Sequence, residues 1–457
     1  MLEKEYIYFV GAGGIGMSAL ARYFNQSGKQ VAGYDRSTTV LTKRLQTEGI
    51  SITDFDEADA VPHPYRNKER TLVVYTPAIP ENSPMLTYFK EEGFECLKRA
   101  EVLGLLSREM KTIAVAGTHG KTTVSSMIAY LLKSNGIKVN ALLGGISRDF
   151  GTNLVLDVGA KIMVTEADEY DRSFLQLYPD QLVVTSIDPD HLDIYEDEED
   201  LRNTYSQLIG QINEGGVFVT KPSILSALRD SSKVRNRTYA IDGPAFIQAK
   251  RLRVEEGNYV FDYESEACKI EDVICGLPGL HNVENALAAI TIAHENGIEP
   301  NEIKKSIGSF TGVKRRFDVH LKKEDIIYID DYAHHPEEIK MLLASVRELY
   351  PGKEITTIFQ PHLYSRTRDF GAEFAKELSV SDDLILLEIY PAREEAIEGI
   401  SSIWLSKQIG KKGVSVCEKH QLINILKTKN VEVLLTVGAG DIDTMIDPII
   451  EFYKDPE

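Results

Sequence analysis

Lys121 and Thr122 close a short glycine-bracketed run, Gly117-Thr-His-Gly-Lys-Thr-Thr123. Backbone N–H groups flanked by glycine can fold around phosphate oxygens. A lysine adds a point charge, and a threonine hydroxyl is an oxygen donor for Mg²⁺. An apolar run, Thr112-Ile-Ala-Val-Ala116, precedes it, and Val124-Ser-Ser-Met-Ile-Ala-Tyr-Leu-Leu132 follows with apolar residues at helical spacing. Strand, glycine turn, Lys-Thr and helix is the order of a nucleotide phosphate loop, and the helix N-terminus adds the positive end of its dipole. The spacing predicts that Gly117, Thr118, Gly120, Lys121, Thr122 and Thr123 hold the phosphates of ATP or GTP.

A second glycine pattern lies near the N-terminus. Gly11, Gly13, Gly14 and Gly16 follow the apolar run Tyr6-Ile-Tyr-Phe-Val10, and Asp35 ends the next one. This is the dinucleotide fingerprint: a diphosphate at the start of a helix and an acid near a ribose. It specifies a diphosphate with a ribose, not a nicotinamide, and a UDP moiety fits equally. The plain alternative is glycines that serve only helix–strand packing.

Further chemistry stands at other expected strand ends. Glu166-Ala-Asp-Glu169 follows Lys161-Ile-Met-Val-Thr165 and offers three carboxylates, one of which is expected to reach Mg²⁺. Asp188-Pro-Asp-His191 follows the strand expected near 182–187, where His191 is either a second metal ligand or a structural histidine. Gly312-Val-Lys-Arg-Arg-Phe317 gathers three cations, either as a solvated run or as an arginine contact to phosphate. Asp330-Asp-Tyr-Ala-His-His-Pro336 and Gln360-Pro-His-Leu-Tyr-Ser-Arg366 follow successive strands, the position at which open α/β sheets bind ligands. Gly279-Leu-His-Asn-Val-Glu-Asn285 opens an alanine-rich helix.

The elements that position these residues alternate between strand and helix patterns, so the expected class is α/β with parallel sheets covered on both faces. At 457 residues the chain calls for more than one domain, and three blocks separate at 1–108, 109–321 and 322–457. A net charge of −19 argues against nucleic acid or an anionic membrane as the main partner. Four cysteines without metal-ligand spacing, no long apolar run and no leader before the first strand point to a soluble cytoplasmic protein.

Taken together, these motifs resemble the Mur ligase family of ATP-dependent peptide-bond-forming enzymes. The resemblance spans all three blocks. It rests on Gly117 to Thr123, the Glu166 and His191 segments, Gly279 to Ala286, the Arg316 loop and Asp330 to Pro336. Within the family it is closest to the branch that joins L-alanine to UDP-N-acetylmuramate in peptidoglycan precursor synthesis.

The resemblance implies a Rossmann-like N-terminal domain for the UDP-sugar, a central phosphate-loop domain for ATP with Mg²⁺, and a Rossmann-like C-terminal domain for closure and the amino acid. It implies that Gly11, Gly13, Gly14, Gly16 and Asp35 hold UDP. Thr122, Glu166 and His191 would be metal ligands, His281 and Asn285 would contact adenine, and Arg316 and Asp331 would contact ATP. It further implies an amino-acid site of His335, His362 and Arg366, with Arg366 on the carboxylate. Lys121, Arg316 and His335 would be catalytic, His335 as a candidate base for the amine. Two departures stand out: Leu363 where many alanine-adding members carry arginine, and Tyr390-Pro-Ala-Arg-Glu394 where Ala-Gly-Glu is commoner. No lysine occurs between Lys161 and Lys221, so the carbamylated lysine of some relatives has no counterpart. Three competing readings are a ligase that adds a whole tripeptide in murein recycling, an NAD-dependent oxidoreductase, and a phosphate-loop regulatory ATPase.

Overall fold

The computed structural model describes residues 3–80, 82–188, 195–228, 233–255, 258–392, 394–411 and 413–454. Three sheets carry the chain. The first has the order β3-β2-β1-β4-β5, from β1 (Tyr6–Val10), β2 (Gln30–Tyr34), β3 (Ser51–Thr53), β4 (Thr71–Tyr75) and β5 (Glu95–Lys98). All its pairings are parallel, and α1 (Ile15–Gln26) follows β1 through the glycine loop.

The second sheet comprises β6 (Lys111–Ala116), β7 (Val139–Ser147), β8 (Thr152–Val155), β9 (Ile162–Ala167), β10 (Gln181–Val184), β11 (Val217–Thr220), β12 (Arg235–Ile241), β13 (Ile247–Glu255), β14 (Asn258–Ser265) and β15 (Lys269–Cys275). Its order is β15-β14-β13-β12-β11-β10-β6-β9-β7-β8. β6 sits between β10 and β9, parallel to both, and is buried from Thr112 onward. That explains its unbroken apolar run, because a central parallel strand is covered on both faces. α2 (Lys121–Ser134) buries Val124, Met127, Ile128, Leu131 and Leu132, a helical stripe on the sheet. Each such side chain contributes about 1.5–3 kcal/mol of burial. The antiparallel β7–β8 pair departs from the expected all-parallel pattern.

The third sheet runs β16-β17-β21-β18-β19-β20, from β16 (Asp318–Lys322), β17 (Ile327–Asp331), β18 (Ile355–Phe359), β19 (Asp383–Leu387), β20 (Ser415–Cys417) and β21 (Val433–Val437). It is parallel apart from β16 against β17. The helix α3 (Leu280–Glu295) precedes this sheet in sequence, and α4 (Pro336–Leu349) follows β17.

By contacts the chain divides into two compact units: Met1–Arg251 with Phe261–Val273 and Glu284–Thr311, and Leu252–Val260 with Ile274–Val283 and Gly312–Glu457. The first holds the five-stranded sheet and the body of the ten-stranded sheet; the second holds the six-stranded sheet. Among the described residues no helix is long and apolar enough to cross a membrane.

Candidate active site

In the first unit the run Gly117–Thr123 forms the turn from β6 into α2. Gly117 (φ 129°) and Gly120 (φ 84°) lie in the left-handed region that favours glycine. A Cβ on Gly117 would stand 2.2 Å from the Thr185 hydroxyl, and one on Gly120 would stand 2.8 Å from the Asn285 side-chain oxygen. Asn285, on α3, is therefore brought to the loop. The expected strand near 182–187 ends at Val184, because the next residues leave the ladder for the loop. Thr185 donates to the His119 carbonyl. The Ser186 hydroxyl accepts the His119 N–H at 2.8 Å, and its carbonyl accepts the Thr118 N–H at 3.3 Å. Thr123 is buried at the root of α2.

Lys121 donates to the Gly117 carbonyl at 2.7 Å and to both carboxylate oxygens of Glu169 at 2.8 and 2.7 Å. Burial disfavours its ammonium, but the charges of Glu169 and Asp168 outweigh burial and hold its pKa above the usual lysine value. Glu166 accepts the Gly144 N–H at 2.7 Å and is hydrogen-bonded by Thr122. Burial pushes its carboxyl up, and Lys121 with these hydrogen bonds pulls the other way. So of the three carboxylates, Glu166 adjoins Thr122, Glu169 holds Lys121, and Asp168 lies 3.6 Å from Arg99. His191 lies outside the described residues. Among the described residues no group of three or more His, Cys, Asp or Glu side chains forms a metal cage. The hydroxyl of Thr122 and the carboxylate of Glu166 are hard oxygen donors. That set fits Mg²⁺, which takes one or two carboxylates and completes its shell with phosphates and water.

At the N-terminal glycine loop, Gly11 has φ 89°. The two oxygens of Asp35 accept the Gly13 N–H at 2.7 Å and the Ser37 N–H at 2.9 Å, so Asp35 braces the loop itself. A Cβ on Gly16 would stand 3.0 Å from a terminal nitrogen of Arg99. Arg99, the first residue of the helix after β5, thus brings a cation to the start of α1 that the spacing did not single out. Gly14 is open, with its nearest neighbour atoms 4.0 Å away.

In the second unit, β17, β21 and β18 are adjacent, so the residues after them meet at one edge. β17 runs to Asp331, beyond the expected Ile329, and carries both aspartates into the ladder. Arg315 pairs with Asp330 at 3.2 Å and donates to the carbonyls of Gly440 and Gly438 at 3.1 and 2.5 Å. Asp331 accepts the N–H groups of Phe317 and Ala333, both at 2.7 Å, which fixes the Arg316 loop against the strand end. Burial pushes both aspartates up to about 6, with Arg315 and Arg316 respectively opposing it. Arg316 lies over the Tyr332 ring and 3.7 Å from Glu338.

His335 is the N-cap of α4 (Pro336–Leu349), and its ring meets Phe370 edge-on at 4.9 Å. His334, which the sequence left unassigned within its motif, is the histidine that faces His362, with ring centroids 6.1 Å apart. The Nδ1 of His334 is 3.0 Å from the Tyr332 carbonyl and 3.3 Å from Glu338. Burial, then His334 and Arg366, lower the His362 pKa to about 4; burial also lowers that of His334. Arg366 sits on α5 (Tyr364–Asp369), its charge felt by both rings. Among the described residues Arg366 enters no ion pair. His281 lies at the start of α3, its ring against Gly279.

A glycine turn with Lys-Thr at a helix start, on a central parallel strand and with a buried carboxylate beside its threonine, is the arrangement of a nucleotide-using enzyme. The chain matches the Mur ligase family catalytic domain over residues 6–111, the Mur ligase middle domain over 115–293 and the Mur ligase glutamate ligase domain over 315–440. It belongs to the Mur ligase family, and is an ATP-dependent ligase. A Parabacteroides distasonis protein named UDP-N-acetylmuramate–L-alanine ligase is 46% identical over 97% of this chain and 96% of its own. The protein of the same name from Christiangramia forsetii is 44% identical over 97% of each. The crystal structure of UDP-N-acetylmuramate–alanine ligase from Thermotoga maritima superposes with a TM-score of 0.83 at 28% identity, covering 99% of this chain and 100% of that one. A murein peptide ligase from Psychrobacter arcticus shares the fold at 21% identity, with a TM-score of 0.71 and 98% coverage of both chains.

Proposed function

We propose that the protein joins L-alanine to the lactyl carboxylate of UDP-N-acetylmuramate, at the expense of ATP, in the cytoplasm. The observation that carries this is the full-length likeness to proteins of that name, at 46% identity over 97% of the chain. The proposed domains are 1–108 for the UDP-sugar, 109–321 for ATP and 322–457 for the amino acid.

A carboxylate and an ammonium do not condense in water without activation. The reading is that the γ-phosphoryl group passes to the lactyl carboxylate, giving an acyl phosphate and ADP. The amine of L-alanine then attacks the acyl carbon, and phosphate leaves. Lys121 and Arg316 are the proposed cations on the transferring phosphoryl oxygens, where charge spreads in the transition state. Gly117, Thr118, Gly120, Thr122 and Thr123 line the phosphates, His281 and Asn285 the adenine, and Asp331 holds the Arg316 loop. Thr122, Glu166 and His191 are the proposed Mg²⁺ ligands, and the ion would neutralise charge on the phosphates.

Gly11, Gly13, Gly14 and Gly16 are proposed to take the UDP diphosphate, with Asp35 bracing their loop. Arg366 is the proposed receptor of the alanine carboxylate. His362, its pKa lowered to about 4 by burial, is a poor proton acceptor and suits hydrogen bonding to the amine; His335 is the proposed base. Incubation with ATP, Mg²⁺, UDP-N-acetylmuramate and either L-alanine or the L-Ala-D-Glu-diaminopimelate tripeptide tests the reading by mass spectrometry. The expected product is the UDP-sugar extended by one alanyl residue. Extension by the tripeptide alone would reassign the chain to the recycling branch.

A further inference from the structure

Arg366 and His362 lie on either side of an irregular step in the backbone. Leu363 adopts φ 70° and ψ 136°, a left-handed conformation that strains a non-glycine residue. Such a conformation persists only where neighbours over-determine it. Here the neighbours are Tyr390 and Glu394, which lie in the segment that also departs from the commoner family pattern. The Tyr390 N–H donates to the Pro361 carbonyl at 2.8 Å, and the Tyr390 carbonyl accepts the Leu363 N–H at 3.0 Å. The Tyr390 ring stacks on His362 with centroids 5.7 Å apart. Beyond the step, one oxygen of Glu394 accepts the Ser365 N–H at 2.9 Å, and the other accepts the Ser365 hydroxyl.

We infer that Glu394 is a positioning residue of the amino-acid pocket: its carboxylate fixes the first turn of α5 and, through that turn, the direction of Arg366. The inference rests on the reading of Arg366 as the receptor of the alanine carboxylate. α5 spans only Tyr364–Asp369, too short to hold its own direction against a flexible loop. Its preceding residue is strained, so the backbone has another conformation to relax into once the clamp is released. Two parallel hydrogen bonds to one carboxylate set an angle as well as a distance, as a bidentate contact does. Burial works against the ionised carboxylate, but the hydroxyl and amide of Ser365 and the Tyr364 amide outweigh it and hold Glu394 below the ordinary carboxylate range. The carboxylate is therefore charged at neutral pH and accepts from the Ser365 hydroxyl and the Ser365 and Tyr364 amides. Arg366 itself makes no ion pair among the described residues, so its rotamer depends on its backbone. A bidentate fork that is misdirected by about an ångström loses most of its benefit.

The test is steady-state kinetics on Glu394→Ala, Glu394→Gln, Ser365→Ala and the double variant Glu394→Ala/Ser365→Ala, each substrate varied in turn, with a thermal melt for each. Glu394→Ala is expected to raise the KM for L-alanine roughly tenfold or more, with the KM for ATP and for UDP-N-acetylmuramate within about twofold. Ser365→Ala is expected to shift the same constant less. The double variant should be no worse than Glu394→Ala, because the two residues act as one unit. Glu394→Gln, which keeps one acceptor oxygen, should fall between parent and alanine variant. An unchanged alanine KM in the folded variants, or equal shifts in all three KM values, overturns the inference. Should Glu394→Ala not fold, Ser365→Ala and Glu394→Gln decide by the same criterion. A parent enzyme that does not consume L-alanine overturns the proposed function itself, before any variant is compared.

Discussion

Lys121 holds both oxygens of Glu169, and Glu169 is only 2% exposed. The phosphate-loop lysine is thus half of a buried ion pair as well as a candidate phosphate ligand. Lys121→Ala should cut ligation on the order of a hundredfold or more, because a charge on the transferring phosphoryl group is lost. It should also destabilise the fold by about 3 kcal/mol, because Glu169 is left buried and unpaired. Adding Glu169→Gln should recover much of the melting temperature and none of the rate. Activity within a few-fold of the parent would refute the phosphate-loop assignment.

Gly144 offers a cleaner probe of the metal side. Its backbone needs no glycine conformation, yet a Cβ there would stand 2.4 Å from the Glu166 carboxylate oxygens. Gly144→Ala should therefore displace Glu166 with little strain of its own. The Mg²⁺ concentration needed for half-maximal rate should rise roughly tenfold or more, as for other changes that disorient a ligand. An unaltered Mg²⁺ requirement would remove Glu166 from the metal site.

His362 supplies a pH-dependent term with a definite sign. Its pKa falls from 6.5 in the unfolded chain to about 4 in the folded one. Between these values the unfolded chain binds a proton that the folded chain does not, so stability falls as pH drops through that window. The groups that face it are His334, Arg366, Glu394 and the Tyr390 ring. Asp330 and Asp331, raised to about 6, act in the opposite direction over a similar range, gaining stability as pH falls. The total slope is therefore mixed, and a difference measurement is needed. His362→Asn should lose less melting temperature than the parent between about pH 6.5 and pH 4.5. Parallel curves for the two proteins would contradict the burial of a neutral His362.

Arg366→Lys keeps the charge but not the fork. The KM for L-alanine should rise far more than the KM for ATP or the UDP-sugar. An unchanged alanine KM with a lowered melting temperature would make Arg366 a structural residue.

The strand–turn–helix around Gly117–Thr123 was legible because all its parts are contiguous in sequence. The α/β class followed from alternation, and the strands that carry the candidate site, β1, β6, β9, β17 and β18 among them, from short apolar runs bounded by turns. What escaped was set by distant segments. Which of Glu166, Asp168 and Glu169 faces Thr122 depends on how the chain leaves β9, and Gly144 enters from another strand. His334 and His335 are adjacent, and only the placement of α4 turns one toward His362. The Arg315 contacts need Gly438 and Gly440 beyond β21, more than a hundred residues away. Their signal was present as two glycines after an apolar strand: a Cβ on Gly440 would stand 2.4 Å from the Gln360 side chain. Asp35 occupied the ribose-acid position of its fingerprint, but spacing alone does not reveal that it binds the Gly13 amide. The strands from β12 to β15 escaped because their apolar runs are short and broken by charge.

Phosphate release from ATP reads the proposed ligation directly. It is measured with Mg²⁺ and UDP-N-acetylmuramate, with and without L-alanine, and with NAD⁺ in place of the UDP-sugar. Phosphate should be stoichiometric with alanylated product, release should be negligible when either the UDP-sugar or the amino acid is omitted, and NAD⁺ should support none. Rapid release that ignores L-alanine would contradict the proposed ligation.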